Sequence, residues 1–98
     1  MKHKIKVLII GRHAEMLDKV TLLLGKHGYE AYGAQTNEDA IKKFEYIQPQ
    51  AVIIGGGVDY NSRVLLKAAF KKSNPAVRIL DAQPQTVLTD LENLISES

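Results

Sequence analysis

Pro49-Gln50-Ala51-Val52-Ile53-Ile54-Gly55-Gly56-Gly57 is the stretch on which the fold turns. The proline stops whatever helix precedes it. Ala51 to Ile54 is an apolar run too short for a helix, and the glycines bound it. A run without alternating polar positions predicts a central strand covered on both faces. Strands of that kind belong to parallel sheets, whose connections require a helical crossover.

The flanking sequence supplies those crossovers. Upstream, Lys4 to Ile10 is β-branched and apolar without helical period, and reads as a first strand. Ala14 to His27 places Met16, Leu17, Val20, Leu23 and Leu24 on one helix face, and Gly28 ends it. Tyr29 to Tyr32 predicts a short second strand. Thr36-Asn37-Glu38-Asp39 carries a capping-box signature, with Thr36 as acceptor and Asp39 reaching back. The helix it opens turns Ala40, Ile41, Phe44 and Ile47 inward, with Glu38–Lys42 and Asp39–Lys43 on its outside. Downstream, Asp59, Asn61 or Ser62 can cap a third helix with Val64, Leu65, Ala68 and Ala69 inward. Ser73-Asn74-Pro75 is a turn before a fourth strand, Ala76 to Leu80. Pro84 suits the first turn of a last helix whose face is Val87, Leu88, Leu91, Leu94 and Ile95.

Composition narrows the function classes. At 98 residues the chain is one domain, residues 1–98, with room for a single core. The run Val7 to Ile10 is too short to span a bilayer. Lys2, Lys4 and Lys6 precede it, but no small-residue cleavage site follows, so it is read as a strand rather than a signal peptide. There is no cysteine, which removes disulfide and thiol chemistry and suits a reducing, cytoplasmic setting. A formal charge of +2 with dispersed lysines gives no case for nucleic acid, and no membrane partner is expected. His3, His13 and His27 lack metal-ligand spacing, so neither a metal nor a cofactor is expected.

Several motifs in order resemble the receiver domain of bacterial response regulators. Lys6 to Ile10 is similar to its first strand and His27-Gly28-Tyr29 to its turn into strand two. Asn37 to Ile41 is similar to the start of its second helix, and Ile47 to Ile54 to its proline-led entry into strand three. Ser73-Asn74-Pro75 precedes strand four in the same way. The resemblance spans roughly residues 4 to 82. It implies a flavodoxin-like three-layer αβα sandwich with four helices. Its parallel sheet has about four strands in the order 2-1-3-4, shortened at the C-terminal end by the lack of a fifth.

The same resemblance marks what is missing. The acidic pair of a receiver would fall at Gly11 and Arg12, the phosphate-accepting aspartate at Gly55, and the hydroxyl residue near Asp81. Phosphoryl transfer needs a nucleophile and a cation, and neither position supplies its part. Asp59 and Glu15 are the only nearby acids that could stand in. Arg12 has two readings: an ion pair with Asp81 replacing the metal site, or, with His13, Gly56 and Gly57, an anion site. The glycine triplet also has two: a nucleotide loop, or a structural loop of unusual backbone dihedrals or close packing of neighbouring loops. The nucleotide fingerprint fails at Tyr60, where a third glycine belongs.

The expectation is a non-phosphorylatable receiver-like module that binds a protein or itself and has no catalytic activity. The alternative is a small anion- or nucleotide-binding domain using Gly11–His13 and Gly55–Gly57. The expected dimer interface is an apolar strand-four edge, Val77 and Ile79, with the surplus of the last helix at Leu88, Leu91 and Ile95.

Overall fold

The computed structural model describes residues 4–83 and 85–96. Lys2, His3 and Pro84, which entered the sequence reading, lie outside the described residues. The element order is β1 (Lys6–Ile10), α1 (Ala14–Lys26), β2 (Glu30–Ala34), α2 (Asn37–Ile47), β3 (Ala51–Gly55), α3 (Tyr60–Ser73), β4 (Arg78–Ala82) and α4 (Val87–Ser96). All strand pairs are parallel and the sheet order is β2-β1-β3-β4, as the sequence led us to expect.

The sheet divides the core in two. On one face Leu8, Ile10, Val52 and Ile54 meet Ala40 and Phe44 of α2 and Leu66 and Phe70 of α3. On the other, Val7, Ile9, Ala51 and Ile53 meet Leu17, Val20 and Leu24 of α1 and Val87 and Leu91 of α4. Alternation along each strand sends successive side chains to opposite faces. The unbroken apolar runs of β1 and β3 follow from their double coverage.

Capping matches the sequence in outline. Thr36 Oγ1 accepts from the Asp39 N–H at 3.0 Å. The box does not close, because the Asp39 carboxylate turns outward to Lys43 at 3.1 Å. Gly28 has φ +91°, which its lack of a side chain permits. Of the three cap candidates for α3, Asp59 is used, its Oδ2 accepting from the Ser62 N–H at 3.0 Å.

Three expectations are corrected. The inward face of α3 is Leu66 and Phe70, not Val64, Leu65, Ala68 and Ala69. Val64 and Leu65 are 49% and 51% exposed. The deciding contact is between helices: the Phe70 ring stacks on Phe44 at 4.4 Å between centroids, which fixes the rotation of α3. In α1, Met16 is exposed while Leu17, Val20 and Leu24 are buried. Strand four starts two residues later than expected. Asn74 uses its side-chain oxygen on the Ala76 N–H and its carbonyl on the Val77 N–H, so the turn consumes both residues.

That last shift also revises the expected interface. Val77 and Leu91 are fully enclosed core residues, and only Ile79, Leu88 and Ile95 of that set are partly open. Val77 packs under α3 and Leu91 under α1, so neither is available to a partner.

Candidate functional site

The carboxyl ends of β1, β3 and β4 and the loops after them form the rim where parallel α/β sheets place their sites. Here the rim holds a cavity of about 570 Å³. Gly11, Arg12 and His13 line one side and Gly55, Gly56 and Gly57 another, with Gln83 opposite and Ile9, Leu17 and Val20 behind. The structure thus unites most of the residues singled out in the sequence.

Asp81 is the exception. It lies in β4, in register with Ile54, and its side chain turns to the α3 face. There Arg63 Nη1 donates to Oδ1 at 2.6 Å and Lys67 Nζ to Oδ2 at 2.7 Å. Burial pushes the Asp81 carboxyl up, but hydrogen bonds and charge from Lys67 and Arg63 outweigh it and hold it below its ordinary value. A carboxyl depressed in the folded state contributes stability above its unfolded pKa, and that contribution fades as pH falls through the folded value. Acid unfolding should therefore begin at a higher pH in Lys67→Met than in the parent chain, as followed by far-ultraviolet circular dichroism.

The expected Arg12–Asp81 pair does not form. Arg12 Nη1 donates to the Gln35 carbonyl at 2.6 Å and Nη2 to Asn37 Oδ1 at 2.6 Å. Asn37 in turn donates to Ser62 Oγ at 2.8 Å. The reason is geometric. Arg12 follows β1, which neighbours β2, whereas β3 stands between β1 and β4. The guanidinium therefore clamps the loop after β2 and, through Asn37, the start of α3.

Close approach to backbone explains Gly55, the first of the three glycines. None of Gly55, Gly56 and Gly57 has a positive φ. A Cβ on Gly55 would lie 3.0 Å from the Ile10 carbonyl oxygen, and one on Gly56 would lie 3.0 Å from the Gln83 amide. Gly57 faces only ordinary contacts with Arg12 and His13. At Gly55 the strand ends pack where a side chain would separate them.

Arg63 was missed in the sequence. Its Nη2 donates to the Gly55 carbonyl at 2.8 Å and the Val58 carbonyl at 2.9 Å. With the Asp81 bond, one mostly buried side chain fixes the glycine loop and the end of β4. The available signal was the Arg63–Lys67 spacing, one helical turn on α3, opposite an acid on the adjacent strand.

The candidate displaced acids are occupied otherwise. Asp59 caps α3; the Ser62 backbone N–H and then its hydroxyl, with the charge of Arg12, hold its carboxyl below the ordinary value. Glu15 is exposed, 3.9 Å from Lys19. Among the described residues no group of three or more His, Asp or Glu side chains is placed to hold a metal ion.

No family model matches the sequence, and no curated relative does at a significant level. Solved structures do match. A response regulator receiver protein from Pseudomonas putida superposes with TM-score 0.75 over 100% of both chains, at 17% identity. The Vibrio cholerae chemotaxis protein CheY4 superposes with TM-score 0.65 over 94% of this chain and 99% of its own, at 16% identity. The fold is that of a receiver domain. Within this receiver-like fold, Gly11, Arg12 and Gly55 line the same rim cavity, and Asp81 does not. Among the described residues no helix is long and apolar enough to cross a membrane.

Proposed function

We propose that this chain is a phosphate-independent receiver-like module, acting in bacterial signalling inside the cytoplasm by binding protein and not by catalysis. The observation that carries the reading is at Gly55. The position corresponding to the acceptor has no side chain, and the Ile10 carbonyl oxygen occupies the approach to any Cβ there. Where acids would hold a cation stand a glycine and an arginine whose guanidinium is committed to Gln35 and Asn37. The direct test is incubation with acetyl phosphate and Mg²⁺ followed by intact-mass measurement. The expected mass is unchanged. Gly55→Asp should not create an acceptor and should cost about 1–3 kcal/mol through overpacking against backbone. An acid-labile phosphoryl gain in the parent chain that disappears in Asp59→Ala would overturn the reading, because the acceptor would have moved to the α3 cap.

The partner we infer from the sheet edge is a second copy. The Arg78 N–H bonds the Gln50 carbonyl, so alternation turns the backbone groups of Ile79 and Asp81 outward. An antiparallel pairing about a two-fold axis that keeps like faces together sets Leu80 against its own mate. It exchanges hydrogen bonds reciprocally between Ile79 of one copy and Asp81 of the other. Leu88 and Ile95 flank this edge on the α4 side, although Arg78 and the short strand blunt it. Sedimentation equilibrium at micromolar concentration should give the mass of a dimer, reduced to monomer by Ile79→Pro, which removes an outward N–H. A parent chain that is monomeric at every concentration would remove the edge from consideration.

A further inference from the structure

Among the described residues the core is most open to solvent at the rim cavity. Its three most exposed buried residues are Leu17, Val20 and Ala82, at 8% each, and all three line the cavity behind the glycine loop. Of the core residues away from this cavity, Ile47 comes next at 7%. The cavity wall is shared by α1, α4 and the ends of β1, β3 and β4, and Met16 stands exposed beside the opening. A volume of about 570 Å³ with an apolar floor is the size and character of a small-molecule site.

The mouth is polar. Lys19 and His13 stand around it with one acid, Glu15, 3.9 Å from Lys19, while the Arg12 guanidinium is turned away to Gln35 and Asn37. Lys19 and Glu15 are both largely exposed, so their pairing leaves the Lys19 ammonium free to turn to a ligand. His13 precedes α1 without using its side chain as a cap, so its ring is not committed to the helix. On the far side the Gln83 amide lies over Gly56. An apolar interior under a polar mouth that offers the Lys19 ammonium selects a molecule with two unlike ends.

We propose that this cavity binds a small amphipathic anion, with a flat apolar body against Leu17, Val20 and Ala82 and a carboxylate or sulfonate at the His13 and Lys19 mouth. The site goes beyond the interaction role, and the two fail separately: loss of ligand binding would leave the phosphorylation result unchanged. The opening could instead be closed by a second copy, and the experiment distinguishes that case.

The probe is anilinonaphthalene sulfonate, compared with its uncharged relative phenylnaphthylamine, titrated into the isotope-labelled full chain under conditions where amide spectra are dispersed. We expect saturable one-site binding of the sulfonate and about tenfold weaker binding of the uncharged relative. Shift changes should centre on Gly11, His13, Met16, Gly56 and Gln83. Ala82→Leu, which fills the floor, should abolish binding. Lys19→Glu, a surface change that leaves the core intact, should weaken it about tenfold. The proposal is overturned by no saturable binding or by equal binding of both probes. It is also overturned by binding that survives Ala82→Leu, by shifts centred on Val64 and Leu65, or by a sulfonate that binds only as a dimer dissociates.

Discussion

Replacing Phe70 with alanine is expected to destabilise the fold by about 3–5 kcal/mol, while Leu65→Ala on the same helix changes stability by less than about 0.5 kcal/mol. Phe70 is fully enclosed and its ring stacks on Phe44, joining α3 to α2 above β1 and β3. Its removal deletes the largest fully enclosed side chain of the core and leaves a hole that rigid strands cannot fill. Leu65 is half in water already, so truncation there loses little burial. Urea unfolding of both variants measures the contrast. Equal costs would mean that α3 is rotated from the orientation described.

The second large effect is expected at Arg63. Alanine there should cost about 2–3 kcal/mol, because the Gly55 and Val58 carbonyls and the Asp81 carboxylate lose a donor at once. Lysine should recover only part of that, since a single ammonium cannot reproduce the guanidinium fork. Faster amide exchange should be confined to the loop at residues 55–58 and the end of β4. Urea midpoints and hydrogen exchange read the two effects. An Arg63→Ala protein with parental stability and an unchanged loop would show that the loops hold themselves.

The strands and the central place of β1 and β3 were legible in sequence because those two carry runs that only double coverage explains, while their order was what the resemblance to receiver domains implied. The turn chemistry of Thr36, Gly28 and Pro49 punctuated the rest. The rotation of α3 was not legible. Apolar residues occupy Val64, Leu65, Leu66, Ala68, Ala69 and Phe70, a band so wide that several faces fit a helical period. A contact with Phe44, distant in sequence, made the choice. The site was half legible. Strand ends place Gly11, Arg12 and Gly55 together, but which residue Arg12 meets depends on strand order and on the face to which Asp81 points. Alternation from the buried Val77 would have sent Asp81 toward α3, where Arg63 and Lys67 wait one turn apart.

The division of the core has a mechanical meaning. The sheet is a wall, and no side chain of the α1 and α4 compartment touches the α2 and α3 compartment through it in either core cluster. News of an occupied cavity would have to travel over the top of that wall. Two polar straps make the crossing: Arg12 to Asn37 to Ser62, and Arg63 to the carbonyl of Gly55. Both end on the first turn of α3, which makes that helix the listener and its half-wet outer face the place where a message would surface.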